Sequence, residues 1–160
     1  MNYYDLFEIK MSPVVDQGTL AKKYFELQKR YHPDFFSQAT EIEKSNAEEI
    51  SSNINKAFII FKDAQKSIEY FLNQTNVLSP EEKYTLPADF LMEMMDINED
   101  ENSDQSLIRN RVAEIENDLF NEIKPLLSGT VDFAEHDLSK LKAYYYKKKY
   151  LQRILDRFAD

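Results

Sequence analysis

The chain has 160 residues, 42% of them hydrophobic, a formal charge of −9 and an isoelectric point near 4.8. That length supports one sizeable core or two small ones. The absence of cysteine excludes disulfides and thiolate metal sites, and the acidity argues against general nucleic-acid binding, because a phosphate backbone rewards a basic face.

Residues 1–10 contain Asp5 and Glu8 and only short apolar stretches, so they lack the basic start and long apolar run of a signal peptide. No stretch is apolar for long enough to span a membrane. A soluble protein of the reducing cytosol, assumed monomeric, is the expectation. Two glycines, five prolines and scarce strand-like alternation predict an all-α fold.

In chain order, Tyr3, Tyr4, Leu6 and Phe7 form a short aromatic segment. Asp16 is a plausible N-cap, and Leu20, Tyr24, Leu27 and Tyr31 after it recur at helical steps, forming a stripe to be buried. On the opposite side of this helix Lys22, Lys23, Lys29 and Arg30 make a basic face. The helix must stop near His32, because Pro33 has no backbone N–H and pushes the residue before it away from helical angles. A loop then presents His32, Pro33 and Asp34.

A second long helix carries Ala47, Ile50, Ile54, Ala57, Phe58 and Phe61 on one face, completing an antiparallel hairpin. Ile68, Tyr70, Phe71 and Leu72 supply a further short helix. The stretch up to Pro87 is rich in Asn, Gln, Thr, Ser and Pro and reads as a linker, giving units 1–74 and 88–160 joined by 75–87.

Beyond it, Phe90, Leu91, Met94 and Met95 open a short helix, and Ile108, Val112, Ile115, Leu119 and Ile123 keep helical spacing until Pro125. A turn at Ser128 and Gly129 is short enough to fold the last helix back from near Phe133, with Leu138, Leu141, Tyr145, Leu151, Ile154, Leu155 and Phe158 inward. A three-helix bundle follows. Residues 1–72 carry a net charge of −2 and the remainder −7, so the second unit is the acidic one.

The run Leu27-Gln28-Lys29-Arg30-Tyr31-His32-Pro33-Asp34 resembles the helix-and-loop motif of J-domains. The opening Asn2 to Phe7, the run Ile54 to Phe58 and Ile68 to Leu72 are similar to the HscB family of J-domain co-chaperones, which serve iron–sulfur cluster assembly. In the second unit, Ala88 to Glu93 and the acids after it resemble the family segment that contacts the iron–sulfur scaffold protein.

The resemblance implies a co-chaperone with no active site and no cofactor. It would stimulate the ATPase of a heat-shock chaperone of the HscA or DnaK type and deliver an IscU-type scaffold protein to it. Carried over by position, the scaffold-contacting residues fall on Leu91, Met92, Met95, Asp96 and Glu99. A further acidic position falls on Ser103 and an aromatic one on Ala143, two departures that leave neighbouring Tyr144 as the substitute and keep a different client open.

The residues themselves support these roles and their plainer alternatives. Asp34 on an exposed loop accepts charge-assisted hydrogen bonds, and Lys22, Lys23, Lys29 and Arg30 can steer an acidic partner or simply solvate a helix face. Leu91, Met92 and Met95 fit core and interface equally, since flexible methionines serve both. His32 and Asp34 could do acid–base work, but no nucleophile arrangement or enclosed pocket accompanies them. His32 and His136 lie in different units and make no zinc site. Lys147, Lys148 and Lys149, among tyrosines, read first as solvent-facing.

Overall fold

The computed structural model describes residues 1–99, 104–127 and 132–158. Among these the fold is all-α, with no strand. The chain divides into two units, Met1–Phe71 and Leu72–Asp160. The turn expected at Ser128 and Gly129 lies outside the described residues.

The first unit is built on α2 (Gln17–Arg30) and α3 (Glu41–Lys62), with α1 (Tyr3–Leu6) before them and α4 (Ala64–Gln74) after them. Each start is set by a side chain that satisfies an otherwise orphaned N–H. Asp16 accepts from the Thr19 amide at 2.9 Å. Thr40 and Glu43 form a reciprocal capping box. Asp63 accepts from the Lys66 amide at 2.9 Å.

Cross-helix contacts fix the hairpin as antiparallel. Gln17 donates to the Phe61 carbonyl, Tyr24 stacks on Phe58 with centroids 4.1 Å apart, and Tyr24 and Gln28 both donate to the Asn55 side-chain oxygen. Early residues of α2 thus meet late residues of α3. Leu20 and Leu27 from the predicted stripe are buried, as are Ala47, Ile54, Ala57 and Phe61.

The base of the hairpin is closed by aromatic rings around Phe61. Tyr4 lies 5.1 Å from it, Phe7 meets it edge-on at 5.8 Å and Tyr70 does the same from α4. Tyr3 stacks on Tyr70, whose hydroxyl accepts from the Tyr3 amide. The buried Tyr4 hydroxyl donates to the Ser12 carbonyl, and burial pushes its pKa up.

α1 ends in a Schellman turn, with Glu8 donating to the Asp5 carbonyl and Ile9 to the Tyr4 carbonyl. Glu8 takes the left-handed position at φ 55°, a conformation that costs a non-glycine residue about 1–2 kcal/mol. Its carboxylate reaches Arg30 at 3.2 Å and Lys23 at 3.5 Å. The Arg30 hydrogen bond, with Lys23 and Arg30 charge, holds the Glu8 pKa below the ordinary glutamate value.

The second unit contains α5 (Ala88–Glu99), α6 (Gln105–Ile123) and α7 (Glu135–Arg157), with a 3-10 turn at Lys124–Leu126 where Pro125 ends the α6 ladder. Asp104 caps α6 by accepting from the Ser106 amide at 3.0 Å. Arg109 bonds the Phe158 carbonyl and Glu116 pairs with Lys148 at 2.8 Å, so α6 and α7 also run antiparallel.

Ile108, Val112, Leu119, Ile123, Leu141, Leu151 and Ile154 fill the space between these helices, with Phe90, Met94 and Ile97 from α5. The stretch preceding α5 is tied to α7: Glu82 pairs with Lys142 and Tyr84 stacks on Tyr146 at 4.4 Å. Of Lys147, Lys148 and Lys149, read from sequence as solvent-facing, Lys149 is exposed with its ammonium over Tyr145, whereas Lys147 over Phe90 and Lys148 on Glu116 are half-buried. The long apolar stems of Lys147 and Lys148 cover the bundle while the ammonium groups find partners.

Two outcomes follow from this packing. Phe61→Ala leaves a void at the centre of the aromatic cluster and should destabilise the first unit by about 3–5 kcal/mol in urea unfolding, whereas a loss below about 1 kcal/mol would mean that the rings carry little. The Glu8 carboxyl, followed by NMR, should titrate below the unperturbed value of about 4.3 and return towards it in Arg30→Ala. Because the folded pKa is depressed, the pair's stabilisation is present above the unfolded value and disappears as pH falls through the folded one.

Candidate functional site

Two exposed surfaces, one in each unit, gather the residues singled out from sequence. The first is the tip of the α2–α3 hairpin. α2 stops at Arg30, Tyr31 donates back to the Leu27 carbonyl, and His32 is extended at φ −63°, ψ 135°, as steric conflict with the Pro33 ring requires. Pro33 then occupies the first position of a 3-10 turn, Pro33–Phe36, where a missing N–H costs nothing. The expected loop is therefore an ordered helical turn.

Two hydrogen bonds pin it. The Asp34 amide donates to His32 Nδ1 at 3.3 Å, and the Phe35 amide donates to the His32 carbonyl at 3.0 Å. In the neutral ring Nδ1 is thus an acceptor, and the ring proton sits on Nε2. When the ring is protonated, Nδ1 instead faces the Asp34 carboxylate at 3.5 Å. The side chains of His32 and Asp34 are 54% and 89% exposed, so both are available to another molecule.

Phe35, which sequence reading passed over, is 72% exposed and meets His32 edge-on at 6.4 Å. The signal that could have found it is its place on the outer side of a turn too short to bury it. Behind the turn, Tyr31, Pro33, Phe36, Lys44, Ala47 and Glu48 line a cleft of about 230 Å³.

The basic face adjoining the tip is not uniform. Lys23 and Arg30 are engaged by Glu8. Lys22 and Lys29 point outward, and Lys29 Nζ lies 4.9 Å from the ring of Phe25, itself 62% exposed. The outermost surface of α2 thus combines an aromatic ring with two lysines.

The second surface is the outer face of α5. Phe90, Met94 and Ile97 are buried, whereas Met92 is 66% and Met95 53% exposed. Asp96 and Glu99 are exposed beside them and Leu91 is half-buried. At 100° per residue these five positions share one face, opposite the buried three. Met92 and Met95 thus lie at the surface and Leu91 is half-buried, while Met94 between them is core.

Tyr144 requires correction. It is only 6% exposed and packs inside the bundle, where burial, and after it the charge of Glu116, raises its pKa. What little of the residue stays accessible lines a cleft rather than an exposed face. Ala143 is half-buried and, with Leu119, Ile123, Tyr144, Lys140 and Lys147, lines a cleft of about 310 Å³. Ser103 lies outside the described residues.

Among the described residues, no three His, Asp or Glu side chains are grouped so as to hold a metal ion, and no helix is long and apolar enough to cross a membrane. The arrangement offers polar and apolar contact surfaces.

Known proteins match this organisation. Residues 86–158 match the family described as the HSCB C-terminal oligomerisation domain. The co-chaperone protein HscB homolog of Colwellia psychrerythraea is 39% identical over 100 residues, 62% of this chain and 57% of that protein, so the matched part spans little more than half of that relative. The HscB homolog of Shewanella halifaxensis is 30% identical over an alignment of 175 positions that covers all of both chains. The crystal structure of human co-chaperone protein HscB superposes with a TM-score of 0.77 at 26% identity, covering 98% of this chain and 80% of that one. Full-length likeness in sequence, a similar structure and a matched C-terminal region together make this chain a member of the HscB family of co-chaperones.

Proposed function

We propose that this chain stimulates the ATPase of a heat-shock chaperone of the HscA or DnaK type and delivers an iron–sulfur scaffold protein of the IscU type to it. In this reading residues 1–74 form the J-domain, 75–87 the connection and 88–160 the client-binding domain, acting in the cytoplasm. The observation that carries it is the exposure of His32 and Asp34 on a pinned turn at the free end of a helical hairpin.

The mechanism is linkage rather than bond-breaking. An exposed carboxylate at Asp34 accepts charge-assisted hydrogen bonds from a partner arginine, and the His32 ring offers Nε2–H beside it. Pro33 and the two turn hydrogen bonds order the motif before the encounter, which lowers the entropy cost of binding. Contacts that favour the hydrolysis-competent conformation of the chaperone accelerate hydrolysis by raising its population, by no more than their differential affinity for it. Lys22 and Lys29, with Lys23 and Arg30 behind them, steer an acidic chaperone surface, and salt weakens that steering.

Delivery falls to the outer face of α5. Leu91, Met92 and Met95 give an adaptable apolar patch, and Asp96 and Glu99 give it a charged border that fixes orientation more than affinity. A second reading, in which the client is a different protein, draws support from the burial of Tyr144 and from Ala143, which together leave α7 without an exposed aromatic at that place. A pull-down with the scaffold protein separates the two readings.

His32→Gln should abolish stimulation of the chaperone ATPase in steady-state assays while circular dichroism and scaffold binding stay unchanged; stimulation at wild-type level would overturn the assignment. Met92→Ala with Met95→Ala should weaken scaffold affinity by about tenfold or more with a much smaller effect on thermal stability. Equal loss of stability with affinity intact would return both residues to a structural role.

A further inference from the structure

We propose that Met92 and Met95 are an oxidation site that switches client binding: peroxide converts their thioethers to sulfoxides and the client is released. This rests on the client-binding reading of α5.

The chain has no cysteine and five methionines, so methionine thioethers are its only oxidisable sulfur. Three of the five stand within four residues of α5 and are sorted by packing. Met94 is fully buried, whereas Met92 is 66% and Met95 53% exposed. Access to oxidant follows exposure, so the two sulfurs on the proposed contact face react while the core sulfur between them is shielded. The remaining two, Met1 and Met11, belong to the first unit and are also exposed. They serve as a control on which oxidation matters.

The step is an oxygen-atom transfer from hydrogen peroxide. The sulfur lone pair attacks the distal peroxide oxygen, the O–O bond breaks, an S=O bond forms, and the other oxygen leaves as water with both protons. The sulfur loses two electrons and the peroxide gains them. Reversal needs a dithiol-dependent sulfoxide reductase, which removes the oxygen as water and leaves a disulfide on the reductant.

The physical consequence is local. The apolar patch gains two strongly accepting S=O dipoles, and covering them with a partner that supplies no donor imposes an uncompensated desolvation cost. The core is spared because Met94 keeps its thioether, so binding is lost without unfolding. A partner bound on this face also slows its oxidation, because it covers the two sulfurs and access to oxidant follows exposure.

The test exposes the full chain to hydrogen peroxide, locates sulfoxides by peptide mass spectrometry, and measures scaffold-protein affinity by calorimetry, with Met92→Leu/Met95→Leu as the non-oxidisable companion. Leucine keeps apolar volume, and this variant retains Met1 and Met11. Expected are sulfoxides at Met92 and Met95 with Met94 unmodified, unchanged circular dichroism, and an affinity loss of about tenfold or more in the wild type, recovered by the reductase. The Leu variant should bind as well after peroxide as before, and bound scaffold should slow modification of Met92 and Met95. Undiminished affinity of the oxidised wild type would overturn the switch alone. An equal loss in the Leu variant would also overturn it, because the effect would then arise elsewhere. Absence of binding by the untreated protein would overturn the client reading and the switch together.

Discussion

What the first unit can offer depends on where α2 stops, and Pro33 decides that. Without an N–H it cannot extend the helical ladder, and its ring forces His32 out of helical angles to ψ 135°. The same fixed φ that ends one helix suits the first position of the next turn. One residue therefore acts twice, reversing the chain and placing His32 before the turn and Asp34 within it. With an ordinary residue there, α2 could continue past Arg30 and carry both side chains around its cylinder about 200° apart. The paired display would be lost although neither residue had changed.

The rest of the hairpin leaves that tip free. The rings of Tyr4, Phe7 and Tyr70 gather about Phe61 at the opposite end, with Tyr3 stacked on Tyr70, so the aromatic cluster and the exposed motif are at opposite ends of two long helices. Glu8 links these regions along α2 by holding Lys23 and Arg30. Such exposed pairs contribute little to stability, but they fix the direction of two cations, while Lys22 and Lys29 stay on the outer side of the helix.

Much of this was legible in the sequence because the punctuation was strong. Asp16 as a cap and Pro33 as a stop bracketed α2, and Pro125 bracketed α6 in the same way. Helical spacing identified the buried stripes of α2, α3 and α6, and the motif around His32 identified the tip. Periodicity alone could not sort the methionines of α5, since Met94 and Met95 are neighbours in sequence yet 100° apart on the helix, and only the position of the rest of the bundle tells which turns inward. Tyr144 was misplaced for the same reason: on α7 the tyrosines run consecutively from Tyr144 to Tyr146, and the face that meets α6 is a tertiary fact. Lys147 and Lys148 escaped because a charged residue reads as solvated until a ring or carboxylate is seen beside it. The left-handed turn at Glu8 had no sequence mark at all, lacking the glycine that usually signals it.

The net charge of −9 excluded one class of partner but does not choose among proteins. Screening limits the reach of exposed charges to roughly 8 Å at physiological salt, so a partner approaching α2 responds to the charges near its point of contact, Lys22 and Lys29 among them, rather than to the net charge of the chain. A partner approaching α5 meets Asp96 and Glu99 in the same local way. The two surfaces can therefore carry opposite electrostatic preferences within one acidic chain. They also differ in stiffness: the tip is a proline-ordered turn with two internal hydrogen bonds, suited to a contact that must be geometrically strict, whereas the methionine face is apolar and conformationally adaptable. A molecule that must engage one partner by exact geometry and another by shape accommodation needs both kinds of surface, and this chain keeps them on separate units.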